Sequence, residues 1–266
     1  MSYNSGTSDF MVFGLFGKKG SKKPSKAKHS PKKASKPKPS KVKKVAKHVV
    51  KTAPKSMQPA PKMQPIQERM DELKAYEMLK SAKFPVAPYF VVKSEKDLPE
   101  AMKKVGTPFV MKITGTKFAH RSEVGGLVKD VKDNAADVWK QLAKIKGAEK
   151  VFAQKQLSGV ELIVSAKAEP QFGYIVSIGL GGIYKDILRD VAFRVVPLDL
   201  VQAQAMVKEL KGFEVLAGAQ IKLEALYELL VKLGRYAADN KLKEIVFNPV
   251  FCSPEGCWIV SAKILK

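Results

Sequence analysis

From residue 66 to the end, apolar side chains recur with two periods, and the changes of period divide the chain. Ile66, Met70, Leu73, Tyr76 and Leu79 fall three to four residues apart with charges between them, which predicts a helix over residues 66–83. Pro85 and Pro88 end it, and Tyr89-Phe90-Val91-Val92 reads as a short strand. Ser94 caps a helix over 94–105, with Asp97 placed to return a bond to the cap. Strands follow at 108–113 and 127–131, a helix at 134–145, and strands at 151–157, 160–166, 171–178 and 192–196, with an extended stretch at 184–188. Helices at 198–210 and 223–238 precede a hairpin, 245–251 with 257–264, which turns through Ser253-Pro254-Glu255-Gly256. Strands and helices mix within each of two blocks. The expectation is an α+β fold of two lobes, about 66–153 and 154–266, meeting near residues 154–161.

Residues 1–65 carry no such period. They are built of Lys, Ser, Pro and Ala with almost nothing to bury, so they are expected to form a disordered tail. The charge is concentrated there: residues 1–67 hold 17 lysines and one acid, Asp9, which is +16 of the net +23 and leaves +7 for the rest. Such a tail can neutralise nucleic-acid phosphates without reading sequence. With Phe10, Phe13, Leu15 and Phe16 before it, it can also dock on anionic lipid, or it can be a solvated linker. Only Cys252 and Cys257 are present, which excludes a disulfide-rich scaffold and cannot close a four-ligand zinc site. There is no run of 18 apolar residues and no signal-peptide pattern, so the expected compartment is the cytoplasm.

Candidate chemistry gathers in two loops. His120-Arg121-Ser122-Glu123-Val124-Gly125-Gly126 holds the only histidine beyond the tail, which argues against a histidine-based metal centre. His120 reads equally as a capped loop residue and as a nucleophile or general base. Gly179-Leu180-Gly181-Gly182, after a strand, can bring backbone N–H groups close to an anion, although a plain glycine turn is the commoner meaning. Lys112 is a lone charge in an apolar strand, which favours a lysine aimed at a phosphate or carboxylate over an edge lysine. Glu161, Asp186 and Asp190 read as surface acids or, for Glu161 after the expected hinge, as a partner for a ribose hydroxyl.

The joint order of these pieces resembles the ATP-grasp domain of ADP-forming acyl-CoA synthetases (acetate–CoA ligase, β subunit), relatives of succinyl-CoA synthetase. The resemblance is carried by Pro85-Val86-Ala87-Pro88, Pro108-Phe109-Val110-Met111-Lys112-Ile113, the His120–Gly126 loop, Gly159-Val160-Glu161-Leu162-Ile163-Val164, Gly179-Leu180-Gly181-Gly182-Ile183, Phe193-Arg194-Val195-Val196-Pro197-Leu198 and Asn248-Pro249-Val250. It covers about residue 66 to the end and implies a nucleotide, ATP or ADP, between two lobes. Lys112 would touch phosphates, Gln154, Lys155 and Leu157 would line the adenine edge, and Glu161 the ribose. Gly125, Gly126, Gly181, Gly182 and Arg194 complete the implied nucleotide contacts, and His120 would carry a phosphoryl group to a CoA-binding α subunit.

The chain departs from that pattern where the family places Mg²⁺. The family's "E-L-D-x-N-P" reads Glu244-Ile245-Val246-Phe247-Asn248-Pro249, and its "V-D-A-R" reads Val260-Ser261-Ala262-Lys263. Asn248, with Asp186, is left as metal ligand, a poor set for an ion that favours carboxylates. Two functions follow from the resemblance: the ATP-binding β subunit of the ligase, and a metal-deficient nucleotide-binding pseudoenzyme tethered by its tail to nucleic acid or a protein.

Overall fold

The computed structural model describes residues 69–115, 118, 121–183 and 189–266, which fall within one unit spanning Ala60–Lys266. The basic tail, His120 and Asp186 therefore lie outside the described residues, as does the stretch 184–188. The expected opening helix is observed as α1, Glu72–Ser81, its N-terminus capped by Asp71, whose side chain accepts from the Leu73 and Lys74 N–H groups.

A four-stranded antiparallel sheet follows, in the order β1-β4-β2-β3. Its strands are β1 (Tyr89–Val92), β2 (Phe109–Thr114), β3 (Leu127–Val131) and β4 (Lys150–Lys155). Helices α2 (Leu98–Val105) and α3 (Ala135–Ala143) bury Leu98, Ala101, Val105, Val138 and Leu142 with Phe109, Met111 and Ile113 in one apolar cluster. The Asp97 carboxylate accepts from the Ser94 N–H at 2.9 Å, as the capping pattern predicts.

The second sheet runs β10-β8-β5-β6-β7, with β9 also paired to β8. Its strands are β5 (Val160–Glu169), β6 (Gly173–Leu180), β7 (Val191–Val195), β8 (Glu244–Ser253), β9 (Gly256–Ile259) and β10 (Ala262–Leu265). The period of two sorts its faces. Leu162, Val164, Ala166, Val176 and Ile178 are buried with Leu226, Leu229, Leu230 and Leu233 of the long helix Leu223–Asp239. Glu161, Ile163, Ser165, Ser177 and Gly179 occupy the opposite face, where the Ser165 and Ser177 hydroxyls bond at 2.6 Å. The helix Leu200–Lys208 and a short helix, Phe213–Gly218, which periodicity did not predict, precede the long one, making the three α4, α5 and α6.

Two differences from the sequence reading bear on the site. The buried residues of α1, Leu73, Tyr76 and Leu79, join the second sheet's core, although sequence order groups them with the first lobe. The C-terminal hairpin is broken at Val260-Ser261. Val260 donates its N–H to Pro249 O at 3.1 Å, but Pro249 has no N–H to return, so the Val260 carbonyl is released from the ladder. Cys252 and Cys257, opposed across β8 and β9, are disulfide-bonded. No described helix is long and apolar enough to cross a membrane.

Candidate functional site: a polar seam and a glycine-lined cleft

The released Val260 carbonyl is one end of a buried polar seam joining the two sheets. Lys112, on β2, donates to it at 3.0 Å and to Gln154 Oε1, on β4, at 2.5 Å. Tyr76 OH, from α1, lies 2.5 Å from the same carbonyl and 3.1 Å from Glu72 Oε1, and accepts from Gln154 Nε2 at 3.3 Å. Glu72 pairs with the Arg121 guanidinium and accepts from Ser261 Oγ at 2.7 Å. Arg121 also donates to Ile113 O at 3.1 Å and to Ser261 Oγ at 3.3 Å. Helix α1 thus contributes Glu72 and Tyr76, the first sheet Lys112 and Gln154, the loop Arg121, and the hairpin the Val260 carbonyl and Ser261 Oγ.

Burial sets the electrostatics of this seam. It pushes the Glu72 carboxyl up, but the Arg121 charge and hydrogen bond, Lys112 and Ser261 together bring it down to about 2. Lys112 is pushed down to about 7 by burial, which Glu72 opposes and Arg121 and Lys129 reinforce. Burial also lowers Arg121, yet Glu72 raises it further, so the pair stays ionised. The Tyr76 phenol is raised by burial and by Glu72.

Apart from the seam, and sharing no lining residue with it, there is a cleft of about 700 Å³, large enough for a nucleotide-sized ligand. Glu161, Gly181 and Gly182 line it, with Ser158, Cys252 and Glu255. The Gly181 N–H donates to Glu161 O at 2.7 Å. At Gly182, with φ of 56°, an added Cβ would stand 3.2 Å from Glu161 Oε2, so a side chain there would strain the backbone and push the carboxylate by a few tenths of an ångström. Gly159, with φ of 139°, admits no Cβ at all: the Cys252 carbonyl would be 2.3 Å away.

The expected site residues divide accordingly. Glu161, Gly181 and Gly182 share the cleft. Lys112 and Gln154 are buried in the seam, 3% and 0% exposed, where no ligand reaches them without local opening. Lys155 and Leu157 border a separate hollow of about 270 Å³ with Val105 and Gly106. Gly125 and Gly126 close the loop that follows His120, and Gly126 N donates to Arg121 O at 2.8 Å. Arg194 lies on the face opposite Ser177, paired with Glu209, because it shares the register of buried Val176. Asp190 accepts from Gly212 N at 2.9 Å and ties the end of the glycine loop to the approach of α5.

Sequence reasoning missed Glu72 and Tyr76. Their four-residue spacing was a signal for one helix face, but nothing local says that face is buried.

Among the described residues no set of side chains fits a protein-held magnesium. Asn248 is exposed, Val246 offers no donor, and Ser261 Oγ is committed to Glu72 and Arg121. Among the described residues no group of three or more His, Cys, Asp or Glu could hold a metal ion.

The ATP-grasp domain family matches residues 63–265. The chain is 37% identical over 178 residues to "Acetate--CoA ligase [ADP-forming] II" of Archaeoglobus fulgidus, which covers 65% of this chain and 26% of that protein. It is 33% identical over 211 residues to "Acetate--CoA ligase [ADP-forming] I subunit beta" of Pyrococcus furiosus, covering 73% of this chain and 90% of that one. It thus spans about a quarter of the first relative's length and nine-tenths of the second's. The dinucleotide-forming acetyl-coenzyme A synthetase 1 of Ca. Korarchaeum cryptofilum, in complex with coenzyme A, Ca-AMPCP and HgCl+, superposes with TM-score 0.70 at 30% identity, over 74% of this chain and 93% of that chain. The same protein with coenzyme A and Mg-AMPPCP, its phosphohistidine segment pointing towards the nucleotide binding site, gives TM-score 0.65 at 28% identity, over 74% and 92%. Two α+β halves, a lysine strand, a glycine loop folded against Glu161 and a match over residues 63–265 lead to one conclusion: the chain belongs to the ATP-grasp domain family.

Proposed function

We propose that the chain is the nucleotide-binding β subunit of an ADP-forming acyl-CoA ligase of the acetate–CoA ligase kind, working with a CoA-binding α subunit. The overall reaction is acyl-CoA + ADP + phosphate ⇌ acid + CoA + ATP. The observation that carries the reading is the 33% identity to a β subunit of such a ligase over 90% of its length. In this reading the nucleotide occupies the cleft with its ribose at Glu161 and its phosphates at Gly181 and Gly182. Lys112 exchanges Gln154 Oε1 and Val260 O for a phosphate oxygen, and Lys155 and Leu157 border the base. An imidazole nitrogen of His120 attacks the γ-phosphorus, the bond to the ADP oxygen breaks, and ADP leaves with the electron pair. The resulting phosphohistidine then faces the partner subunit. Such transfer depends on positioning and charge neutralisation. No step here is assigned to a protein-held metal, since Asn248 with Asp186 makes a poor set of ligands.

A second reading is favoured by the closed Glu72–Arg121–Ser261 corner: a protein that binds nucleotide without transferring phosphate, tethered through its basic tail to nucleic acid or a protein. Incubation with γ-labelled ATP separates the two. Acid-labile label on the wild-type chain, absent from His120→Ala, supports the relay. Bound ATP without label leaves the second reading standing.

A further inference from the structure

The one disulfide in the chain stands in the wall of the cleft. Cys252 and Cys257, the only cysteines, are joined across β8 and β9 with their Cα atoms 4.2 Å apart. Ladder bonds alternate along an antiparallel pair. Val260 N bonds to Pro249 O, so the pairs Phe251–Trp258 and Ser253–Gly256 fall at bonded positions and Cys252–Cys257 lies between them. The Sγ–Sγ bond is therefore the direct tie at that level. Beyond it the hairpin has one more pair and a two-residue turn, Pro254-Glu255, both residues exposed. Cys252, Ser253, Pro254 and Glu255 all line the cleft. Two contacts couple this tip to its surroundings. Lys222 N donates to Ser253 O at 3.0 Å, and Gly159 lies so close to the Cys252 carbonyl that a Cβ would stand 2.3 Å from it. In register Cys252 faces Val160, directly before Glu161. A displacement of Cys252 is thus passed to the strand that carries Glu161.

We propose that Cys252 and Cys257 are a redox-modification site for this cleft: the disulfide holds the hairpin tip in place as its wall, and reduction by a dithiol releases the tip and weakens nucleotide binding. The inference rests on the nucleotide-binding reading above. Thiol–disulfide exchange breaks the Sγ–Sγ bond, leaves one thiol on each cysteine and passes the disulfide to the dithiol, which supplies the two electrons and two protons. Both cysteines are buried, 0% and 4% exposed, so the reductant enters as the exposed turn lifts. With the bond gone the ligand has to order the tip itself, and fixing even one residue costs about fivefold in affinity.

The test is calorimetric titration of the full-length chain with ADP and magnesium, after oxidation with glutathione disulfide and after reduction with dithiothreitol, with free thiols counted in denaturant. Oxidation should leave no free thiol and reduction should free both cysteines. Reduction should weaken ADP binding by about fivefold, and reoxidation should restore it. The double variant Cys252→Ala/Cys257→Ala should bind as the reduced chain does in either buffer. Free thiols after oxidation, or none after reduction, overturn the inference. So does a weakening of less than about threefold, or a redox response that survives in the double variant; each leaves the nucleotide-binding reading intact. No ADP binding in either state removes that reading and this inference with it.

Discussion

Replacing Glu72 by Gln keeps the shape of the seam and removes its one paired negative charge. Arg121, 13% exposed, is then left without its counter-ion. The cost follows from the carboxyl's own titration. Its ordinary value of 4.5 falls to about 2 in the fold, and at about 1.36 kcal/mol per pH unit that difference is worth roughly 3 kcal/mol at neutral pH. Removing one partner of a buried pair costs about 3–5 kcal/mol, which agrees. The sign is fixed by the direction of the shift: a depressed carboxyl contributes fully above 4.5 and loses its contribution as pH falls towards about 2. At a pH of about 3.5, somewhat under half of it should be gone. Urea unfolding of wild type and Glu72→Gln at neutral pH and near pH 3.5 should therefore show a gap of about 3 kcal/mol that shrinks by about half. Adding Arg121→Met to Glu72→Gln should recover much of the loss, because no buried charge is then stranded. A neutral-pH gap below about 1 kcal/mol, or one that does not shrink in acid, would refute the buried-pair account.

Three further outcomes are expected. Because Lys112 titrates near 7, its charge is present below that pH and lost above it; ADP affinity should fall by up to about tenfold between pH 6 and 8, and Lys112→Met should flatten that profile. Gly159→Ala should lower stability by more than about 1 kcal/mol in urea unfolding, since φ is 139° and the new Cβ would meet the Cys252 carbonyl at 2.3 Å. Glu161→Gln should weaken ADP more than inorganic phosphate in competition assays, if Glu161 meets the ribose and the glycine loop the phosphates.

Much of the fold was legible because period and punctuation agree along the chain. The strand at 127–131 is observed at those bounds, and the long C-terminal helix over 223–238 extends by one residue. The sequence also singled out Glu161, Gly181 and Gly182, and the fold brings the three together at one cleft. Two things were not legible. The helix Phe213–Gly218 is six residues long, too short for its period to show. The docking of α1 on the second sheet depends on contacts between distant residues, such as Met70 N to Ile264 O at 3.0 Å, 194 residues apart, which no local pattern encodes.

The seam shows why single positions mislead when read one at a time. Ser261 and Val246 look, in sequence, like losses from a metal site. In the fold, Ser261 is one of four groups that satisfy Glu72, with Arg121, Tyr76 and the Ala262 N–H, and Glu72 is what keeps Arg121 ionised in a buried corner. Pro249 falls inside the strand predicted over 245–251, where it looks like a lost ladder donor, and that missing N–H frees the Val260 carbonyl that Tyr76 and Lys112 use. A buried polar network is stable only if every member is satisfied. Changing Ser261 to Asp would set a second carboxylate beside Glu72, whose Oε1 the serine hydroxyl now meets at 2.7 Å, with one guanidinium to share. The metal pattern therefore cannot be restored by one substitution: either Glu72 takes up a proton or Arg121 turns to the new acid. A reversion aimed at magnesium would have to rebuild Arg121 and Val246 together with Ser261.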